Sequence, residues 1–312
     1  MMDDELLAVR VAELYYDENK TQDEIGALLG ISRWKAGRLL AQARERGIVR
    51  IEIVHPRARR LAIERSLRER FGLADAVVVP TPENESGVQG RVAQAAADFL
   101  TSLRPVPRVL GVSWGRTLTD VAERMPDGWA TGVTVVQING GVSLNRRPGT
   151  AATLASTIAQ RGRGHAVLLP SPAILERLST KKAIESDRTV AAVLDRASEA
   201  NAFLYSAGVV DANSAHVESG YLRPEDMDEL AARGAIGDVV GRYIDPNGNI
   251  VDPSLDERTL GVSLDTLRSA ATAILVVAGT AKHDVARAVV TSGLCTVLIT
   301  DEGTARALLE DS

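Results

Sequence analysis

Residues 21–50 read TQDEIGALLGISRWKAGRLLAQARERGIVR and contain two short helical patterns separated by a glycine. Thr21 followed by Glu24 predicts a capping box, in which a hydroxyl and a carboxylate bind the free amides at the start of a helix. Gly30 predicts the bend between the two helices, and Ser32 predicts the cap of the second helix. This arrangement is typical of a helix-turn-helix, in which the second helix enters the major groove of DNA.

The second helical pattern has an apolar side and a basic first turn. Leu39 and Leu40, with nearby alanines, recur at helical spacing and predict the side that packs inward. Gly26, in the first pattern, is a poor helix former, and we expect it to allow the close approach of a crossing helix. Trp34 is open to two interpretations, contact with DNA or packing against a wing. The residues that we expect to bind DNA are Thr21, Gln22, Ser32, Arg33, Trp34, Lys35 and Arg38.

Charge is distributed unevenly along the chain. Between Ser32 and Arg70 there are twelve Lys or Arg and four Glu, a local balance of +8, within a chain whose net charge is −5. A small basic module attached to a larger acidic one is expected when the small module meets phosphates. A solvated basic helix face would explain residues 57–70 alone, but beside a helix-turn-helix the charge favours DNA as a partner.

Composition indicates a globular protein of two domains. The chain has 312 residues, 45% of them hydrophobic and 25% charged, which allows a sizeable buried core. No apolar run approaches the roughly 18 residues of a membrane span. The first ten residues, MMDDELLAVR, do not have the pattern of a signal peptide. Cys295 is the one cysteine, so disulfides within the chain are excluded, and we expect a cytoplasmic location without a membrane partner.

From Asp75 onward, short apolar runs alternate with helical patterns. Such alternation predicts a mostly parallel sheet with helices on both faces. Residues 243–252, YIDPNGNIVD, interrupt the alternation and predict a hairpin with Asn-Gly at its turn. The apolar runs are AVVVP (76–80), RVLGVSWG (108–115), VTVVQINGG (133–141), HAVLLP (165–170), NAFLYSAG (201–208), TAILVVAGT (272–280) and CTVLIT (295–300).

These patterns predict a boundary near residue 56. Residues 1–56 are expected to form an all-α helix-turn-helix domain for DNA binding, with Ile48–Val54 as a short wing strand. Residues 57–312 are expected to form an α/β domain that binds a small ligand and mediates oligomerisation. Within it, residues 57–71 predict an amphipathic connector helix with Leu61, Leu67 and Phe71 on one side. This helix either links the domains rigidly or pairs with its mate in a dimer.

Three junctions between strands and helices are candidates for a ligand site. In open α/β sheets ligands bind at the carboxyl ends of the strands, where helix N-termini attract phosphate. Residues 115–117 (Gly-Arg-Thr), 139–141 (Asn-Gly-Gly) and 279–282 (Gly-Thr-Ala-Lys) all follow predicted strands. Each alone is also explained by a tight turn with a cap, but three in one sheet, two with a cation, favour an anionic small ligand. Asp238 predicts either a contact with sugar hydroxyls or a helix cap.

Signals for catalysis and for metal binding are weak. The four histidines are scattered, and no metal-ligand spacing or nucleophile motif accompanies them. We therefore expect no metal and no cofactor. Lys282 has the chemistry of a Schiff-base amine, but contact with a phosphate is the simpler role.

Four stretches of the chain resemble the SorC family of bacterial sugar-binding transcriptional regulators. They are residues 14–53 (LYYDENKTQDEIGALLGISRWKAGRLLAQARERGIVRIEI), 111–122 (GVSWGRTLTDVA), 234–249 (GAIGDVVGRYIDPNGN) and 276–309 (VVAGTAKHDVARAVVTSGLCTVLITDEGTARALL). The resemblance implies an effector domain similar to sugar-phosphate isomerases and deaminases, a phosphorylated sugar at the strand ends, and a tetramer on operator DNA. Some family members carry Arg in place of Asn139 and Thr in place of Leu118. By motif position the effector-binding residues are Gly115, Arg116, Thr117, Asn139, Gly140, Asp238 and Lys282.

The sequence as a whole predicts a ligand-responsive transcriptional regulator. We expect a homo-oligomer, dimer or tetramer, that acts as a repressor on double-stranded operator DNA and responds to a phosphorylated sugar or polyol. One alternative is a sugar-phosphate isomerase- or deaminase-like enzyme with an attached DNA-binding domain. Another is a constitutive architectural protein whose larger domain only oligomerises.

Overall fold

The computed structural model describes residues 4–49, 59–81, 87–142 and 151–310. The chain separates into two compact units, Met1–His55 and Pro56–Ser312. None of the helices in these ranges has the length and the apolar character needed to cross a membrane.

Within residues 4–49, the first unit contains three helices, α1 (Asp4–Tyr16), α2 (Gln22–Leu29) and α3 (Arg33–Glu45). The predicted capping box is confirmed, because Thr21 accepts from the amide of Glu24 and Glu24 accepts from the amide of Thr21. Gly30 ends α2 in the left-handed conformation, with φ of 66°. Ser32 caps α3 by accepting a hydrogen bond of 3.2 Å from the amide of Lys35. Local capping therefore defines both ends of α2 and the start of α3.

The core of the first unit lies where α1, α2 and α3 meet. Leu39 and Leu40 are buried there, as predicted, together with Ile25 of α2. Ile48 and Val49 pack against this core without forming a strand. The rest of the predicted wing strand, residues 50–54, lies outside the described residues.

Gly26 allows the close approach of both the turn and the start of α3. A Cβ atom at this position would lie 2.8 Å from the carbonyl oxygen of Ile31, in the turn between α2 and α3, and 3.4 Å from the amide nitrogen of Arg33, the first residue of α3. The same turn folds back on the glycine, since the amides of Gly30 and Ile31 both donate to the carbonyl of Gly26. The missing side chain therefore accommodates mainly the turn that leads into the crossing helix.

Replacing Gly26 with alanine should destabilise the first unit by about 1–3 kcal/mol, because the new methyl group would overlap backbone that cannot move away easily. Gly37→Ala is the matched control, since its Cβ would meet only the flexible side chain of Gln22 at 3.0 Å. Helix propensity favours that control change by about 0.5–1 kcal/mol. Hydrogen exchange of the full-length chain measures both effects. Equal protection of α3 in the two variants would contradict this role of Gly26.

The second unit is built on two sheets. The main sheet has seven strands in the order β1-β10-β9-β5-β2-β3-β4, and a smaller one has the order β6-β7-β8. The strands are β1 (Asp75–Val79), β2 (Val109–Val112), β3 (Thr134–Gln137), β4 (His165–Val167), β5 (Ala202–Tyr205), β6 (Ala207–Val209), β7 (Gly237–Val239), β8 (Arg242–Ile244), β9 (Ala273–Val276) and β10 (Val297–Asp301).

Helices follow most strands of the main sheet. A 3₁₀ turn, Thr280–Lys282, precedes α14. The helices are α4 (Leu61–Phe71), α5 (Val88–Ser102), α6 (Arg116–Arg124), α7 (Ala151–Arg161), α8 (Leu178–Ser186), α9 (Arg188–Ser198), α10 (Ala215–Glu218), α11 (Pro224–Ala232), α12 (Pro253–Arg258), α13 (Leu264–Arg268), α14 (His283–Thr291) and α15 (Glu302–Leu309).

All strand pairs of the main sheet are parallel, which confirms the predicted α/β architecture. Alternate residues of β1 enter two separate apolar clusters, Ala76 and Val78 in one and Val77 and Val79 in the other. Since successive residues of a strand point to opposite faces, both faces of the sheet are covered.

The order of the strands reverses at the centre of the main sheet. The chain adds β3 and β4 on one side of β2, and then returns to add β5, β9 and β10 on the other side. The loops that follow β2 and β5 therefore leave the sheet at a switch point, where a crevice opens at the carboxyl ends of the strands.

The small antiparallel sheet is a feature that the alternating pattern did not predict. It begins with β6, which follows β5 after a single residue, Ser206. The predicted hairpin at residues 243–252 is a tight turn with Gly248 at φ of 77°, and it closes through one antiparallel bridge between Ile244 and Ile250. Asp245 holds this turn by accepting from the amide of Asn249.

The predicted connector helix begins at Leu61 and not at residue 57, and residues 57–58 lie outside the described residues. Leu67 is buried, but Leu61 is 64% exposed. Six residues at 3.6 per turn place these side chains about 120° apart, so they cannot share one face. Glu64 accepts two hydrogen bonds of 2.8 Å from Arg59 and one from the amide of Val78, which attaches the connector to the edge strand β1.

Candidate functional site

A cavity of about 300 Å³ lies at the switch point of the main sheet. Its size is within the range of small-molecule sites in proteins. The loops after β2, β3, β5 and β9 contribute to it, and the small sheet forms another wall. Residues that line it include Ser113, Trp114, Gly115, Arg116, Thr117, Asn139, Ser206, Ser214, His216, Asp238, Val240, Gly241 and Lys282.

One end of the cavity carries a cation with a perturbed pKa. The ammonium of Lys282 donates to the hydroxyls of Ser206, at 3.1 Å, and Thr117, at 3.4 Å. Burial lowers the pKa of Lys282, Asp238 opposes this effect, and the nearby Arg116 adds a smaller lowering, so that the pKa is about 8. Neutral hydroxyls do not replace a full counter-charge, so an anion here would be stabilised by the ammonium.

Two glycines position this cationic end. Gly115 precedes α6 with φ of 136°, a conformation that residues with side chains rarely adopt. Gly279 precedes the turn that carries Lys282, with φ of 88°. The amide of Gly279 donates to Asp301 at 3.0 Å, and Asp301 also caps α15 through Thr304. Hydrogen bonds at the base of the turn therefore hold Lys282 in place.

Asp238 lies on the small sheet, in β7, so its interpretation as a helix cap is wrong. One oxygen of its carboxylate accepts from the amide of Gly241 at 2.9 Å. The other lies 3.8 Å from Nδ1 of His216, which shares a hydrogen bond of 2.9 Å with the hydroxyl of Tyr243. Burial, with a smaller contribution from Asp238, raises the pKa of Tyr243 well above its ordinary value. The phenol therefore stays protonated and remains a donor.

The turn between β7 and β8 places an unusual backbone conformation at the cavity. Val240 has φ of 49°, although a β-branched residue rarely adopts the left-handed region. Such a residue costs about 1–3 kcal/mol and persists where its surroundings impose it. The hydrogen bond from Gly241 to Asp238 is one such constraint.

Asn139 lines the cavity and carries a buried acceptor. The residue is only 2% exposed, and its Oδ1 atom has no hydrogen-bond partner among the described residues. Gly140, which we also expected to bind the effector, is not among the residues that line the cavity. Its amide donates to Leu260, and its carbonyl accepts from the indole of Trp114 at 2.7 Å. The structure thus brings six of the seven predicted effector residues to one cavity.

Several lining residues were not predicted from the sequence. His216 was one of four scattered histidines, and no motif surrounds it. In the structure its ring meets Trp114 edge-on, with centroids 5.7 Å apart, and Tyr221 lies 6.1 Å from Trp114. Trp114 had a signal, since it adjoins Gly115 at a strand end, whereas Ser206 and His216 had none. Across the described ranges no group of three or more His, Cys, Asp or Glu could hold a metal ion.

The residues predicted to bind DNA lie in the first unit, at the starts of α2 and α3. Thr21 and Ser32 are caps, so part of their role is structural. Gln22 lies against Gly37 of α3. Arg33 lies 3.5 Å from Asp23 in an exposed ion pair, and Trp34 is 87% exposed. Lys35 and Arg38 complete the basic first turns of α3.

Comparison with known proteins identifies a family model, related regulators and a solved structure that match this chain. A family model described as "Putative sugar-binding domain" matches residues 55–310. The Deoxyribonucleoside regulator of Bacillus subtilis is 32% identical over 98% of this chain and 97% of that protein. The Sorbitol operon regulator of Klebsiella pneumoniae is 31% identical over 99% of both chains. The crystal structure of full-length SorC from Klebsiella pneumoniae matches with a TM-score of 0.72 and 30% identity, covering 99% of this chain and 100% of that chain.

The matching domain and the relatives define a transcriptional regulator with a sugar-binding domain. The chain belongs to the SorC family of sugar-binding transcriptional regulators. It is a ligand-responsive regulator, as the sequence predicts. Its relatives are named as regulators and not as enzymes, which decides against the enzyme alternative.

Replacing Asp238 with asparagine should lower the pKa of Lys282 below about 8, because the carboxylate is the charge that supports the ammonium. The rate of acylation of the Lys282 amine, followed against pH by mass spectrometry, reports this pKa. Asp226→Asn is the control, since Asp226 pairs with Arg223 on the surface. An unchanged midpoint in Asp238→Asn, or a midpoint near the ordinary value of 10.5 in the unmodified chain, would contradict this electrostatic arrangement.

Proposed function

We propose that this regulator is a cytoplasmic repressor whose cavity binds a phosphorylated sugar or polyol and whose helix-turn-helix, α2 and α3, binds operator DNA. The observation that carries the effector assignment is Lys282, a half-buried cation that lines the cavity and donates to the hydroxyls of Ser206 and Thr117. A phosphate here would add a second anion beside the ammonium, which Asp238 alone leaves with a lowered pKa. Backbone amides at the start of α6, next to Gly115, would add donors to the same group.

The polar and aromatic residues of the cavity favour a ligand that carries hydroxyl groups. The carboxylate of Asp238 lines the cavity, and a hydroxyl is the donor that a sugar or polyol offers to a carboxylate. Trp114 adds an apolar ring to the lining, which suits the C–H groups of such a ligand. The names of two relatives, a deoxyribonucleoside regulator and a sorbitol operon regulator, support a polyhydroxylated effector.

We assign DNA binding to residues 1–56 and effector binding with oligomerisation to residues 57–312. We propose that the first is a helix-turn-helix domain and that the second is similar to sugar-phosphate isomerases and deaminases. The working form is a dimer or tetramer that presents paired recognition helices to half-sites about one helical turn of DNA apart, or a multiple of it. The effector regulates DNA binding by favouring one arrangement of the oligomer. It can do so only if its own affinity differs between two arrangements, because only such a difference shifts their equilibrium.

A phosphorylated sugar or polyol should raise the melting temperature of the full-length protein, since a ligand of the folded state stabilises it. Its unphosphorylated form should have a smaller effect. Lys282→Ala should weaken binding about tenfold or more, the usual range for loss of a charged partner. Binding should also weaken as the pH rises above about 8, where the ammonium of Lys282 loses its proton. A thermal-shift titration at two pH values measures both effects.

Lys181→Ala is the matched control, because this lysine pairs with Glu185 on α8 and does not line the cavity. Equal stabilisation by the phosphorylated and free forms would contradict the proposed binding of a phosphate group. A normal response of Lys282→Ala would show that the cavity is assigned incorrectly. If no phosphorylated or free sugar or polyol stabilised the protein, the result would favour the alternative of an architectural protein whose larger domain only oligomerises.

Arg33→Ala and Arg38→Ala should each weaken operator binding by about tenfold, because each removes a cation at the start of the recognition helix. Effector binding should be unchanged in both variants. The operator is obtained by selecting random duplexes with the full-length protein, and affinities are measured over a range of salt concentrations. Arg196→Ala removes the same charge from an exposed site on α9 and should bind DNA normally. Normal affinity in both α3 variants would exclude α3 as the recognition helix.

A further inference from the structure

Trp34 is the most exposed large hydrophobic side chain among the described residues, at 87%. It is the second residue of α3, directly after Arg33. The side of α3 that carries Leu39 and Leu40 is buried in the core of the unit. The indole therefore stands on the outer side of the helix, at its beginning.

The outer side of α3 is shaped so that Trp34 projects from it. Residues three, four and seven positions further along share a helical face with it, and these are Gly37, Arg38 and Ala41. Gly37 and Ala41 are small, so the indole projects beyond the neighbouring side chains. Arg38 on the same face, and Arg33 beside the indole, supply positive charge. An apolar ring within a basic helical face fits an anionic surface that also offers apolar groups.

The major groove of DNA is such a surface. Its phosphates are anionic, and the C5-methyl of thymine is the apolar group that its base edges present. The first residues of a recognition helix are the ones that reach base edges. Wedging of apolar side chains between base pairs, in contrast, is typical of proteins that enter the minor groove. The position of Trp34 on the first turn of α3 favours contact with a base edge over wedging.

We propose that Trp34 is a specificity-determining residue that contacts the C5-methyl of one thymine in each half-site. This inference rests on the proposed binding of DNA by α3. Arg33 and Arg38 supply attraction to phosphates or guanines, whereas Trp34 supplies discrimination for thymine. Removing one methyl group from water contributes about fourfold to affinity.

The test replaces thymine with uracil, one position at a time, in an operator selected with the full-length protein. Uracil keeps the O4 acceptor and the base pairing of thymine but lacks its methyl group. The unmodified protein should lose about fourfold in affinity at one thymine of each half-site. Trp34→Ala should bind the thymine operator more weakly and should show no further loss with uracil at that position.

Two further variants make the result specific. Leu6→Ala removes another exposed apolar side chain, on α1, and should keep the full effect of uracil. Trp34→Phe retains an aromatic ring and should keep part of it. Circular dichroism is used to check that Trp34→Ala is folded, which is expected because the position is so exposed.

A uracil effect of the same size in Trp34→Ala and in the unmodified protein, at every thymine, would overturn the proposal. DNA binding by α3 would still stand in that case, on the evidence of Arg33→Ala and Arg38→Ala. If the full-length protein selected no sequence at all, the proposed function would fail together with this inference. The two failures are therefore distinguishable.

Discussion

The reversal of strand order between β2 and β5 is the constraint on which the effector-binding unit depends. Because the sheet is parallel, all its strands end at one edge, and because its order reverses there, the loops after β2 and β5 separate. Thr117 arrives from the first of these loops, Ser206 from the second, and Lys282 from the loop after β9. The topology of the sheet thus sets the position of the cavity, and the side chains determine what lines it.

The charged residues that line this cavity determine which kind of ligand it favours. Lys282 loses part of its hydration on burial, and its hydrogen-bond partners Thr117 and Ser206 are neutral. Asp238 supports the ammonium across the cavity, but its own oxygen is engaged by the amide of Gly241. The cavity therefore combines a partly dehydrated cation, Lys282, with a carboxylate, Asp238. The proposed ligand, with an anionic group and hydroxyl groups, would complement both.

The small antiparallel sheet adds the second wall of the site. It follows β5 directly, so it extends from the switch point and folds over the strand ends. Its turn at Val240 and Gly241 is held by Asp238, and its strand β8 carries Tyr243, the partner of His216. The loop after β9 thus provides the cation Lys282, and the small sheet provides the carboxylate Asp238 and the hydroxyl partner of His216.

The sequence by itself determined the features that depend on neighbours in the chain. The cap at Thr21, the bend at Gly30, the buried side of α3 and the alternation of strands and helices all follow from local periodicity and capping. So do the glycine-rich ends of β2 and β9, which indicated Arg116 and Lys282. Only the tertiary structure decided what meets across the fold. His216 and Ser206 carry no local signal, the partner of Gly26 is a turn, and Leu61 is exposed, because contacts between distant residues arise from topology and packing.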